Sequence, residues 1–421
     1  MSFSFPPRRS IFSGFDSWYK GTQRGGNKGK EETEEKPEPE GKTKTQVDLY
    51  GFEIIVTPKA QADRLKCENR SRLRAERWHK YQDKGKLPKD RRDRALKMMI
   101  RKGIPPGLRS WVWMETSGAQ ERMNQASEGR TYAACLKKAM EHSPFAKQIE
   151  LDIPRTYPGH PWLEMQQGQQ ALERVLLAYA ARNPRTGYCQ SMNYIAAMLL
   201  LVLDKNEEKA FWMLATLIED ILYAGTYAHN LNGCHVEMRS LGELVAHKLP
   251  RLSKHLESMY CEMSVIATDW YLCLFSTSLP CETAVRVWDS LFDEGPKILF
   301  RVAVAILQLA ERKLMKYDNA GELLKGVKEF ARNLHNRDKL MKVAFDGIGG
   351  LPMNTIKSIR KTKQKDVDEM LRARDERLDS KSGRHKNTWS DMDQEDSDGG
   401  DSDGQSSIAT AITDVADLSI S

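Results

Sequence analysis

Between Arg101 and about residue 348 the chain repeats one pattern: apolar residues three and four positions apart, interrupted at prolines and glycines. That period belongs to amphipathic helices. Leu172, Val175, Leu176 and Tyr179 place one apolar face on residues 170–182. Phe211, Leu214, Ile218, Ile221 and Leu222 line the next helix; Leu241, Leu244, Val245, Leu249, Leu252 and Leu256 line two more, parted at Pro250. Val285, Trp288 and Phe292 mark a helix over 282–293 that Gly295 and Pro296 end. Pro105 and Pro106 open another, carrying Leu108, Val112 and Trp113, since proline suits a first helical turn. Residues 191–203 and 298–315 are apolar nearly all round, which predicts buried central helices. No alternating strand pattern interrupts the series. The expected fold is an all-α domain over residues 101–348.

The flanks read differently. Residues 1–47 are rich in Gly, Lys, Glu, Pro and Thr and are expected to form a disordered leader. Phe3, Phe5, Phe12, Phe15 and Trp18 within it are either isolated aromatics or a short docking motif. Residues 48–100 form a basic, partly helical extension. It begins with an apolar patch at 50–58, tacked onto the main domain, and Leu65, Leu73 and Trp78 follow at loose helical spacing. Acids interspersed through 64–94 favour a solvated helix face, a candidate for contact with acidic lipid headgroups. No nucleic-acid motif is present, so no nucleic acid partner is expected. Residues 349–385 form a second basic, helical segment, and 386–421 an acidic tail expected to be disordered, with Ser390, Ser397 and Ser402 among its acids.

Composition narrows the class. The chain has 421 residues, 40% of them hydrophobic and 29% charged, with a net charge of +7. This describes a soluble globular protein with charged extensions. Seven cysteines lack any CxxC spacing and no signal peptide precedes them, as expected of reduced thiols in the cytoplasm. The apolar run 195–203 is far short of the roughly 20 residues a membrane span requires, and no lipidation signal is present. Membrane association must then come through a partner or a basic surface. There is no GxSxG elbow and no GxxxxGK[ST] loop, so the chain is expected to hold no nucleotide itself. His229, Cys234 and His235 lack a fourth ligand at zinc spacing, so no metal is expected. Cys189 as a nucleophile has only His160 nearby in sequence.

The candidate chemistry lies in residues 149–193. These begin with IELDIPRT (149–156), end with RTGYCQSMN (185–193), and hold the amphipathic helix between them as a strut. Pro154 and Pro158 bracket Arg155 and disfavour helix through it. Pro184 and Gly187 restrict the approach to Gln190. A long cation and a neutral amide on rigidified loops suit recognition of an anion undergoing hydrolysis.

Six blocks occur here in an order that resembles the TBC domain of Rab GTPase-activating proteins. GIPPGLRSWVW (103–113) is similar to the opening helix, IELDIPRTYP (149–158) to the I-x-x-D-x-x-R motif, and GYCQSMN (187–193) to Y-x-Q. ATDWYLCLF (267–275), LPCETAVRVWDSLFDEG (279–295) and ILFRVAVAIL (298–307) are similar to later helices. The resemblance implies an all-α, multi-helix TBC domain of two helical subdomains between disordered tails. It implies that Arg155 and Gln190 are supplied in trans to a GTP-bound Rab, Arg155 to the γ-phosphoryl charge and Gln190 to the attacking water. GTP and Mg2+ would be carried by the partner, with no cofactor of the chain's own. Such a chain completes its partner's active site and is not a self-contained enzyme. Asp152 would pair with an arginine, Tyr188 pack beneath the turn, Asn193 brace it, and Arg109 partner an acid. The implied role is regulation of vesicle trafficking from the cytoplasm, peripheral to endomembranes. A non-catalytic Rab-binding scaffold of the same fold is the alternative. Two positions depart from the common pattern: Ser191 stands where glycine commonly follows the glutamine, and Tyr157 where phenylalanine is frequent. If that turn needs a positive φ, Ser191 strains it.

Overall fold

The computed structural model describes residues 43–85, 87–88 and 93–388, with side chains up to residue 377. The aromatic positions of the leader and the serines of the acidic tail lie outside the described residues. Several helices begin where the sequence supplies a side-chain cap. Thr57 Oγ1 accepts from the Ala60 amide ahead of the helix Pro58–Gln82, and Asp93 caps Arg94–Lys102 through the amides of Ala95 and Leu96. Asn206, Asn319 and Asn336 do the same for Glu207–Thr216, Ala320–Arg332 and Arg337–Lys342. Each satisfies amide donors that the first helical turn leaves without partners.

Packing then follows the apolar faces. The strut helix Gln166–Arg182 lies against Tyr132–Glu141 on one side and against Met192–Val202 and Glu207–Thr216 on others. Met192–Val202 is buried at nearly every position, as its all-round apolar sequence requires. Cys281–Glu294 and Lys297–Leu314 are nearly as enclosed. One apolar core runs from Trp78 to Ile359, so the helical subdomains implied by the resemblance share one interior. No described helix is long and apolar enough to cross a membrane.

A buried polar node fastens the opening helix to this core. Asp289, fully buried, accepts from Arg109 Nε (2.9 Å) and Nη2 (3.2 Å), Trp113 Nε1 (3.0 Å) and the Ile104 amide (3.3 Å). Trp113 also packs at a tilt against Phe292, ring centres 4.8 Å apart. A carboxylate satisfied by four donors avoids the heavy cost of burying a bare charge.

The N-terminal flank departs from expectation in three ways. The disordered leader was expected to run to Val47, but Lys44–Val47 is a strand, paired antiparallel with Glu53–Val56 in a hairpin. Four-residue strands are too short for alternation to show in sequence. The basic stretch 64–94 is not merely a solvated face. Its Arg64 pairs with Glu282 at 3.0 Å, Arg74 with Asp338 at 3.1 Å, and the Trp78 indole donates to the Gly103 carbonyl at 3.1 Å. Finally, Leu65 and Leu73 point outward; Arg64, Cys67 and Trp78 make the inner face. Here opposite charge on the body sets the docking face where apolar spacing would have chosen another.

Beyond Pro352, the basic segment forms the helix Met353–Thr388, starting four residues later and ending three residues later than the segment expected. It lies along Asn232–Lys248, where Arg360 and Glu237 make a buried two-point ion pair (2.5 and 2.7 Å).

Candidate functional site

The Arg155 loop starts where the short helix Ala146–Asp152 ends. Pro154 cannot continue a helix, and the chain leaves through Tyr157 with φ of 51° and Gly159 with φ of 85°. Asp152 is fully buried below the loop, whereas the Arg155 side chain retains 53% of its exposure. Their side chains form an ion pair, Arg155 Nη2 to Asp152 Oδ1. Tyr188 Oη donates to the other oxygen of Asp152 at 2.5 Å. Burial and the adjacent carboxylate push the Tyr188 phenol far above its ordinary value, which keeps it a donor. One buried carboxylate thus holds a residue of each loop.

The second loop turns at Gly187, whose φ is 61° and where a Cβ would run into the Phe145 ring. Only glycine fits that approach. Gln190 follows, half-buried, and then Ser191 at φ 99°. The condition for strain is therefore met: a serine occupies backbone space that glycine favours. Among the described residues, no group hydrogen-bonds the Gln190 side-chain amide. The helix Met192–Val202 begins two residues later and carries the bracing groups. Asn193 Oδ1 accepts from the Ser191 amide (3.1 Å) while its Nδ2 donates to Thr156 Oγ1 (2.8 Å). Tyr194 Oη donates to the Arg155 carbonyl (3.3 Å), and the Tyr157 hydroxyl donates to the Tyr194 carbonyl (3.4 Å).

The structure thus brings Asp152, Arg155, Tyr188, Gln190 and Asn193 onto two interlaced loops. Arg109 lies apart from them, in the Asp289 node of the core. Thr156, Tyr157 and Tyr194 were not foreseen as bracing groups. Their only sequence signal is proximity to Arg155 and Gln190, because the contacts join residues nearly forty positions apart.

A cysteine–histidine pair does not form. Cys189 is buried, and burial pushes its thiol up to about 12. His160 is engaged elsewhere: Nδ1 accepts from the Leu163 amide and Nε2 donates to the Tyr50 carbonyl (2.9 Å). A thiol held protonated at neutral pH is a poor nucleophile.

Comparison with known proteins agrees with the fold. The family profile described as Rab-GTPase-TBC domain matches residues 106–315. TBC1 domain family member 2A of Mus musculus is 36% identical over 279 residues, 66% of this chain but 30% of that protein's length. Growth hormone-regulated TBC protein 1-A of Danio rerio is 33% identical over 335 residues, 75% of this chain and 89% of that one. The crystal structure of the Chlamydomonas flagellar RabGAP TBC domain superimposes with a TM-score of 0.67 at 48% identity, covering 72% of this chain and all of that one. The Ypt/Rab-GAP domain of Gyp1p shares the fold at 23% identity, with a TM-score of 0.55, covering 66% of this chain and 98% of that one. With its helices, its ordered blocks and nearly the full length of a zebrafish TBC protein matched, the chain belongs to the Rab-GTPase-TBC domain family.

Proposed function

We propose that this chain accelerates GTP hydrolysis by a Rab-family GTPase in its GTP-bound form. Hydrolysis gathers negative charge on the γ-phosphoryl oxygens and the leaving bridge, and needs a water held in line. Arg155 enters the partner's nucleotide pocket and neutralises that charge, while Gln190 orients the water. The supporting observation is the contrast on two laced loops: Asp152, Thr156, Tyr188 and Asn193 are buried, whereas the Arg155 side chain is exposed and the half-buried Gln190 amide has no hydrogen-bond partner among the described residues. Arginine suits the task because its charge is permanent and its planar fork spans two oxygens.

Asp152 acts as an aiming group. It takes one edge of the guanidinium, whose five N–H donors leave others for the phosphate. Being fully buried, it is poorly placed to serve as a base, and phosphoryl transfer depends chiefly on positioning and electrostatics. GTP and Mg2+ belong to the partner in this reading. By shortening the partner's GTP-bound lifetime the chain regulates vesicle trafficking, meeting endomembranes through the partner and through its basic helices.

The test is phosphate release from a panel of purified GTP-loaded Rab proteins with the full chain. Stimulation of at least one is expected, and Arg155→Ala should lower it by about 10³-fold or more, or about 4 kcal/mol. Arg155→Lys should restore little. Gln190→Ala should cripple the rate without additivity, since both groups serve one transition state. Arg155→Ala as active as wild type overturns the mechanism, and binding without stimulation points to a scaffold.

A further inference from the structure

The hairpin Lys44–Val47/Glu53–Val56 lies outside the residues matched by the family profile, yet its turn packs beneath the Arg155 loop. Asp48 shapes that turn, its Oδ1 accepting from the amides of Tyr50 and Phe52, each at 2.9 Å. Phe52 is thereby set edge-on against Tyr157 (ring centres 5.1 Å, 83° between planes) and against His160 (4.7 Å, 66°). Gly51, at φ 96°, brings the backbone close to the His160 ring, and the Tyr50 carbonyl accepts from His160 Nε2. The turn is itself tied to the core. Arg109 Nη1 donates to the Tyr50 hydroxyl at 2.6 Å, and the Leu49 amide donates to Glu282 at 3.3 Å.

Tyr157 is the residue on which this bears. It stands two positions after Arg155 in left-handed backbone that a tyrosine rarely adopts. A side chain held there must be over-determined by its neighbours. Tyr194 supplies one wall, with ring centres 5.2 Å apart; Phe52 supplies another. We infer that Phe52 is a positioning residue for Arg155: by holding Tyr157 in its strained conformation, the hairpin fixes where the guanidinium enters the GTPase. This deepens the proposed function and rests on it.

The experiment measures kcat and KM on whichever GTP-loaded Rab the panel identifies, for the full chain and for Arg155→Ala, Phe52→Ala and Phe52→Leu in parallel. Phe52→Ala should lower kcat about tenfold, since a displacement of the order of 1 Å costs up to about a hundredfold. KM should stay within about twofold, and melting should remain a single transition close to that of wild type. Phe52→Leu, which keeps an apolar side chain against Tyr157, should recover most of kcat. A kcat unchanged in Phe52→Ala while Arg155→Ala is inactive overturns the positioning role and leaves the arginine mechanism standing. Equal activity of Arg155→Ala and wild type overturns the mechanism itself. Should Phe52→Ala prove too unstable to assay, Asp48→Ala, which removes the acceptor that sets Phe52 against Tyr157, decides: full kcat in Asp48→Ala overturns the inference.

Discussion

Asn193 Nδ2 donates to Thr156 Oγ1 across 2.8 Å, joining the Arg155 loop to the Gln190 loop inside the protein. The Thr156 hydroxyl in turn donates to the Asp152 carbonyl at 2.7 Å, and Asn193 Oδ1 accepts from the Ser191 amide at 3.1 Å. One amide therefore links the helix end before Arg155 to the turn after Gln190. A side chain offering both donor and acceptor is needed there, which valine or leucine of similar bulk cannot supply.

Asn193→Ala should orphan the buried Ser191 amide and remove a partner of Thr156, costing about 1–3 kcal/mol of stability. The proposed catalytic rate should fall more than that loss explains, because the spacing of the loops relaxes. Urea unfolding alongside single-turnover phosphate release separates the two effects. A rate that tracks only the folded fraction would refute the lacing role.

Ser191→Gly should relieve the left-handed backbone at this position. Strain of this kind is worth about 1–3 kcal/mol, offset by about 1 kcal/mol for the entropy of glycine. Melting should hold or rise slightly and activity should persist. Ser191→Val should lose both, since a β-branched residue tolerates that φ worst. Thermal melting of the two variants side by side is the check.

Asp289→Ala should be severe. It would strand Arg109 and Arg286, both buried, with their counter-charge gone. Breaking a buried pair costs about 3–5 kcal/mol. Circular dichroism melts should show this loss even though Asp289 lies in the core node, apart from Arg155 and Gln190.

Acid should weaken the fold through Glu294. Burial alone would raise its pKa, but hydrogen bonds and charge from Arg101 and Lys297 hold it at about 2, against an ordinary 4.5. Because the folded value is the lower one, the unfolded chain takes up the proton first as pH falls. The stabilisation is thus present in full above about pH 4.5 and lost as pH drops towards 2. Glu294→Gln should be less stable than wild type at pH 7, with the gap narrowing below pH 4.5. Denaturant midpoints across that range measure it, and a gap independent of pH would count against the assignment.

Much of this was legible in sequence because each signal was local. The apolar period of residues 170–182 and the all-round apolar run from 191 announced the strut and the central helix, since burial must follow the face that water rejects. Pro154, Pro184 and Gly187 marked the two loops for equally local reasons. The hairpin escaped notice because its strands are four residues each and its turn is tied down by hydrogen bonds to Glu282 and Arg109, far along the chain. Leu65 and Leu73 misled because Arg64, Arg70 and Arg74 find acids on the body, and these set the docking face.

By itself the sequence determined the helical class, the order of the main core helices and the two loops bearing a cation and an amide, all of which follow from neighbours within a turn or two. Only the tertiary structure decided that Asn193 meets Thr156, that Tyr188 and Arg155 share Asp152, and that Phe52 stands against Tyr157. Such pairings depend on how the helices pack. No local pattern encodes a contact between residues that the chain brings together only when its core closes.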